Sequence, residues 1–463
     1  MNFSIEVKAL SVFAGSTRLM GPVSFHIRPG GTLVVMGETG AGKSLIAQAI
    51  LGTLPSALRA DGEIIVDGRR VDQLPIAERA KLWGREIATL PQEPWRALNP
   101  LMRSFRQVKE THLFVAGRNP QEAASETGQA FETLSLKGAE NRLPGALSGG
   151  MAQRVAFAAA TAANAPILLA DEPTKGLDAE RHRKVVDLLA EVPQNGGTLL
   201  AITHEVSVAR RLGGEILVLR DGDLVEQGMT KSVLNAPSDR YTQSLLDADP
   251  QNWPENAPRE VGETVLRVQD LAVARGNKRL FEGFNLDLRT GEKVALTGPS
   301  GIGKTTLLDA IGGLLKPESG HVSRQGALSK NSIQKLYQDP PAAFPNRVRL
   351  IHTLQDVARL NNTGWPDVLQ TLEHLGIHPS LLERRPDEVS GGELQRISIA
   401  RALTVKPKII LADEPTSRLD PITQRETLAM LDRIASDEQI AIILVTHDQN
   451  ISTKWADRVI SLV

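Results

Sequence analysis

Short apolar runs recur along this chain, each followed by a turn signal and then by a stretch with helical spacing. They stand at 33–36 (LVVM), 167–170 (ILLA) and 199–202 (LLAI), and again at 294–297 (VALT), 409–412 (IILA) and 442–445 (IILV). Runs of that length with little polar alternation are those of strands buried on both faces. Residues 6–12 and 266–273 alternate partly between apolar and polar, which predicts half-exposed strands opening each half. Strands alternating with helical stretches predict α/β domains whose central strands are mostly parallel.

The same order of elements is written twice. Ser148 and Ser390, Asp171 and Asp413, and Asp178 and Asp420 are each 242 positions apart, and His204 and His447 are 243 apart. The repeat divides the chain into a first domain, 1–247, and a second, 264–463. Residues 248–263 are expected to link them. The stretch 248–258 holds Pro250, Pro254 and Pro258 among polar residues, which predicts a short, semi-stiff linker. The copies differ in length. Lys43 to Gln92 spans 49 positions, and Lys304 to Gln338 only 34, so the second copy is expected to be shorter in an antiparallel β region.

Composition narrows the class. Hydrophobic residues make up 41% and charged residues 23% of 463, ordinary for a globular protein, and a net charge of −1 gives no overall electrostatic footprint for nucleic acid. With no cysteine, disulfides, thiolate metal sites, cysteine-ligated clusters and cysteine nucleophiles are excluded. The N-terminal residues lack the basic and apolar segments of a secretory signal. No apolar stretch approaches ~18 residues, so any membrane role is expected to run through a partner.

Two loops carry the first chemistry. GETGAGKS (37–44) and GPSGIGKT (298–305) each follow a strand-like run and precede a helical pattern. Gly37, Gly40 and Gly42, and Gly298, Gly301 and Gly303, free backbone N–H groups to surround phosphate oxygens at a helix N-terminus. Lys43 and Lys304 would reach the β- and γ-phosphates of a nucleotide, and Ser44 and Thr305 would ligate Mg²⁺. The runs at 167–170 and 409–412 end in Asp171-Glu172 and Asp413-Glu414. The aspartates would hold Mg²⁺, largely through water, and the glutamates would polarise an attacking water.

The next elements select a family. LSGGMAQR (147–154) and VSGGELQR (389–396) each precede a helix. With them the chain resembles the ABC ATPases, whose signature begins LSGGQ. Gln92 and Gln338 fall at that family's Q-loop, next to the metal. His204 and His447 fall at its γ-phosphate-sensing switch, and 175–178 and 417–420 at its D-loop. The resemblance implies two tandem P-loop NTPase domains, each with a mostly parallel core sheet, an antiparallel β region and a helical subdomain. ATP and Mg²⁺ are the implied cofactors. It also implies two composite sites: Lys43 with Ser390, Gly391 and Gly392, and Lys304 with Ser148, Gly149 and Gly150. Phe13 is expected either to stack on adenine or to join the core. The matching stretch of the second half, 273–275, has no aromatic, and Arg275 is the candidate there. Position five of the signature is Met151 in one half and Glu393 in the other.

QEPWRALNP (92–100) and the looser QDPPAAFPNR (338–347) resemble a run found in ATPases of oligopeptide, dipeptide and nickel importers, as does the tail PSDRYTQSLL (237–246). The implied role is energy coupling in import of a peptide, metal, metal chelate or opine-like solute. The implied partners are two transmembrane permease subunits and a solute-binding protein, at the cytoplasmic face of the membrane. The alternatives are a soluble ABC protein of the translation or DNA-repair type, or an ABC-like subunit of a phosphonate-degrading complex.

Overall fold

The computed structural model describes residues 3–92, 97–174, 177, 179–256, 259–275, 278–299, 301–325, 330–417 and 419–462. The chain divides into two compact units, residues 1–249 and 250–463.

In the first unit, β1 (Ile5–Ala14), β2 (Thr17–Ile27), β4 (Leu58–Val66) and β5 (Arg69–Arg70) form an antiparallel sheet in the order β2-β1-β4-β5. The second sheet takes β3 (Thr32–Gly37), β6 (Ile87–Leu90), β7 (Ile167–Asp171), β8 (Thr198–Ile202), β9 (Glu215–Arg220) and β10 (Asp223–Met229), ordered β10-β9-β3-β8-β7-β6. Every pairing in it is parallel except β9 with β10. The apolar run on β8 is wholly buried, as expected for a strand covered on both faces. Between the sheets a core of Ile5, Val12, Met20, Leu33, Ile46, Ile64, Leu200 and Leu217 excludes water.

The second unit repeats the plan with fewer strands. Here β11 (Thr264–Arg275), β12 (Lys278–Arg289) and β14 (Ser319–Arg324) form the antiparallel sheet β12-β11-β14. The parallel sheet is β15-β16-β17-β13-β18, from β13 (Lys293–Thr297), β15 (Ile333–Leu336), β16 (Ile409–Asp413), β17 (Ala441–Val445) and β18 (Arg458–Ser461). Among the described residues its antiparallel sheet has three strands against four in the first unit.

Helices between β6 and β7 and between β15 and β16 make up the helical part of each unit: Ser104–Phe114, Pro120–Thr133 and Gly149–Thr161, then Leu350–Leu360, Trp365–His374 and Gly391–Leu403. Their starts are chemically marked. Asn119 and Glu122 form a reciprocal capping box before Pro120, and Ser390 and Glu393 form another before Gly391. Phe105 and Phe131 then meet edge to face at 5.5 Å between the first two helices.

The expected linker is largely packed onto the second unit. Lys454 Nζ donates to the carbonyls of Gln251 and Trp253, at 2.7 and 2.9 Å, and Trp253 lies against the apolar core. Asn256 Nδ2 donates to Asp457 Oδ1 at 2.9 Å, and Arg259 Nε to Asp457 Oδ2 at 3.1 Å. Behind them Lys293, 2% exposed, bonds Asp432 and lies 4.9 Å from the Trp455 ring. The side chains of the stretch thus find partners that a composition-based reading cannot assign.

Candidate active site

Strand order builds the site. In the first unit β3, β8 and β7 are neighbours, and in the second β13, β17 and β16 are. Their carboxyl ends carry, side by side, the phosphate loop, the histidine and the acidic pair. That edge of an open parallel sheet is where ligands bind. The edge strands β6 and β15, beside β7 and β16, lead into Gln92 and Gln338.

The loops begin with a glycine for a steric reason. Gly37 has φ +150°, and a Cβ there would lie 2.1 Å from the Leu219 carbonyl oxygen; Gly298, at φ +147°, would meet Leu462 O at 2.7 Å. Any side chain would push β3 off β9, or β13 off β18. Each loop then runs into a helix, Lys43–Leu51 or Lys304–Gly312, with Gly42 or Gly303 as its left-handed N-cap. The two lysines are 6% exposed. Lys43 Nζ donates to Gly37 O and Glu38 O at 2.8 and 2.7 Å, and Lys304 Nζ to Gly298 O and Pro299 O at 2.8 and 3.1 Å. Each ammonium is therefore folded over its own loop, where a phosphate would sit.

The glutamates and histidines are brought together in both units. His204 Nδ1 lies 2.8 Å from Glu172 Oε2, and Lys43 Nζ lies 3.9 Å from Glu172 Oε1. His447 Nδ1 lies 3.4 Å from Glu414 Oε2, which also accepts from Gln338 Nε2 at 3.1 Å. Glu172 and Glu414 both adopt left-handed backbone, φ 48° and 45°, a conformation that costs a side-chain-bearing residue about 1 kcal/mol or more. Burial pushes the Glu414 carboxyl up, but the hydrogen bond and charge of His447, with Lys304, outweigh it and hold it below the ordinary carboxylate range. The same hydrogen bond raises the His447 imidazole against its burial. A carboxylate kept ionised beside the phosphate position can polarise water.

The second unit also assembles hard oxygen donors. Thr305 Oγ1 donates to Asp413 Oδ1 at 3.1 Å, pairing a hydroxyl with a carboxylate, oxygen donors of the kind Mg²⁺ accepts. Ser44, at the matching position, is the second residue of the helix Lys43–Leu51, and Asp171 ends β7. Gln92 is exposed at the end of β6.

The signature serines are helix caps. Ser148 Oγ accepts from Met151 N, and Ser390 Oγ from Glu393 N, both at 3.3 Å. Glu393 returns the bond from Ser390 N at 2.8 Å, which a methionine at 151 cannot do. Gly149 and Gly391 are exposed beside them, whereas Gly150 is buried and Gly392 half-buried. Phe13 is half-buried, with the Arg59 guanidinium 5.0 Å from its ring centre. Strand register matches Phe13 with Ala274, since they pair with Arg18 and Arg279 respectively, and Arg275 is exposed. Asp420 caps the helix Pro421–Asp437. Ser300, Glu93 to Arg96, Lys175, Gly176, Asp178 and Arg418 lie outside the described residues.

Three neighbours of the site are not among the residues the motifs assign to it. Tyr241, on the helix Arg240–Ala248, accepts at its hydroxyl from Glu38 N of the first loop at 2.7 Å. Phe281 Cε2 lies 3.1 Å from where a Cβ on Gly303 would stand. Glu205, next to His204, is 2.6 Å from both His182 Nε2 and Thr174 Oγ1.

Burial pushes the Glu205 carboxyl up, but His182, the His204 charge and the Thr174 hydroxyl reverse this, and its pKa falls from 4.5 to about 2. A depressed carboxyl contributes stability that is present above its unfolded pKa and is lost as the pH falls through the folded one. The window here runs from 4.5 down to about 2. His182→Ala removes the main opposing group. The urea midpoint of the wild type should therefore drop more between about pH 5 and about pH 3 than that of the variant. Equal drops would show that His182 does not hold Glu205 down.

The ABC transporter family model matches residues 20–175 and 281–417. The chain is 31% identical to the peptidoglycan transport ATP-binding protein YejF of Agrobacterium fabrum, covering 98% of this chain and 90% of that protein. It is 30% identical to the glutathione import ATP-binding protein GsiA of Salmonella paratyphi A, covering 94% and 80%. Among solved structures it resembles the RNase-L inhibitor, with a TM-score of 0.67 at 21% identity over 97% of this chain and 87% of that one. That likeness shows the fold alone.

Proposed function

Since the chain belongs to the ABC transporter family and is one of its two-domain ATP-binding ATPases, we propose that it drives an importer for a peptide-like solute. The observation that carries this reading is that the alignment to ATP-binding proteins named for peptidoglycan transport and glutathione import runs through both units. Peptides, peptidoglycan fragments and glutathione share an amide backbone with free carboxylates, and that chemistry is the proposed substrate class. A metal chelate or opine-like solute is the broader alternative.

In this reading ATP lies on each loop with its phosphates against the backbone N–H groups and Lys43 or Lys304. Ser44 with Asp171, and Thr305 with Asp413, would hold Mg²⁺, which neutralises phosphate charge when bound. Glu172 and Glu414 take the proton of the attacking water, and His204 and His447 orient them. The exposed helix starts at Ser148 and Ser390 would, in this reading, complete the nucleotide site of the opposite unit. ATP would thus close two composite sites, and the segments after Gln92 and Gln338 would pass closure to two permease subunits. Among the described residues no helix is long and apolar enough to cross a membrane.

Affinity purification from detergent-solubilised native membranes tests it. Two polytopic membrane proteins should co-purify, and a short peptide with its binding protein should raise ATP turnover of the reconstituted complex. Sedimentation with ribosomes and no membrane partner would overturn the proposal.

A further inference from the structure

The two units differ in charge beside the carboxylate expected to hold Mg²⁺. Strand register aligns them: Ile87 stands opposite Ile167 and Thr89 opposite Leu169, while Ile333 stands opposite Ile409 and Lys335 opposite Leu411. A neutral Thr89 in the first unit thus matches a lysine in the second. The helix after each loop differs at the matching place as well, five residues past the loop lysine: Gln48 in the first unit, Asp309 in the second.

Lys335 is nearly enclosed, with 9% of its side chain exposed. Its ammonium lies 2.6 Å from Asp309 Oδ1, 3.3 Å from Asp413 Oδ2 and 5.4 Å from the Tyr337 ring. The other Asp413 oxygen accepts from Thr305. Both oxygens of the metal carboxylate are therefore engaged, one of them by a fixed cation. A lysine paired with Asp309 alone would be ordinary core chemistry. Reaching Asp413 as well puts it in competition with a divalent cation for the same oxygen, in a buried setting that screens charge poorly. The groups facing this ammonium are Asp309, Asp413 and Tyr337, and the matching position of the first unit, Thr89, carries no charge.

We propose that Lys335 makes the second phosphate site the weaker Mg²⁺ site, so that the two sites load metal at different concentrations. This rests on the reading of Asp171 and Asp413 as Mg²⁺ carboxylates. Lys335 acts through Asp413 and is a positioning residue.

The test is Mn²⁺ binding, read from the free-ion electron paramagnetic resonance signal, to the full chain saturated with a non-hydrolysable ATP analogue. Wild type should show two classes of bound Mn²⁺ differing about tenfold in affinity, the usual size of a second-sphere effect. Lys335→Thr should bring the weak class up to the tight one, and Lys335→Arg should leave two classes. Thr89→Lys should weaken the tight class. The paired variant Asp309→Gln with Lys335→Thr recreates the neutral arrangement of the first unit and serves if the single variant leaves Asp309 too exposed to fold. Two unchanged classes in a folded Lys335→Thr or paired variant would overturn the proposal. Nucleotide bound with Mn²⁺ at neither site would instead overturn the reading of the aspartates.

Discussion

Replacing both Glu172 and Glu414 by glutamine should lower ATP turnover by about 10²–10⁴-fold while nucleotide binding survives. Each glutamate is 7–18% exposed at its side chain and lies within 4 Å of a histidine. Glutamine keeps shape and volume, so the left-handed backbone at both positions is undisturbed. What it loses is the capacity to accept a proton, together with the charge facing Lys43 or Lys304. The cation is then freer to serve phosphate, and ATP should be held at least as tightly. Phosphate release and equilibrium nucleotide binding, measured on the same preparation, separate the two effects. Turnover within a few-fold of wild type would remove both residues from the role of base.

Replacing Lys43 or Lys304 by alanine should act in the opposite manner, through binding. A charge-assisted bond to phosphate contributes about 3 kcal/mol, so affinity at the altered site should fall about a hundredfold. The variant also leaves two loop carbonyls without their donor, at Gly37 and Glu38 or at Gly298 and Pro299. Calorimetric titration should show one site of the two lost. The same variants test composite pairing. If Lys304 shares a nucleotide with Ser148, then Lys304→Ala combined with Ser148→Ala is less than additive, and combined with Ser390→Ala it is additive. Coupling to Ser390 instead would place each nucleotide within a single unit.

The parts of the site most legible in the sequence were those built from contiguous residues on buried strands. An apolar run ending in Asp-Glu, or running into a glycine loop, specifies both an element and the place where its last side chains emerge. The pairing of Glu172 with His204 follows once β7 and β8 are neighbours. Relations between distant segments were not legible. Nothing around Lys335 distinguishes it from a polar position on an edge strand, because its meaning comes from Asp309 and Asp413 on other elements. Tyr241 was visible as part of a tail motif, yet its bond to Glu38 N spans 203 positions. The left-handed conformation of the two glutamates had no signal at all. The sequence suits Phe13 equally to the core or to an adenine platform; it lies outside the buried cluster, under Arg59.

The segment after Pro250 decides where this chain could be divided. Trp253, Asn256 and Arg259 come before the first strand of the second unit, yet Asn256 and Arg259 reach Lys293 and, far along its sequence, Asp432 and Asp457, and Trp253 packs on its core. A gene cut ahead of Pro250 would hand the carboxyl-terminal fragment its own lid over a buried lysine. A cut at the repeat boundary, 263, would take Asn256 and Arg259 away from that buried lysine and from Asp432 and Asp457. The natural seam therefore lies upstream of the place where the two copies begin to look alike, and fragment-complementation studies should be framed on it.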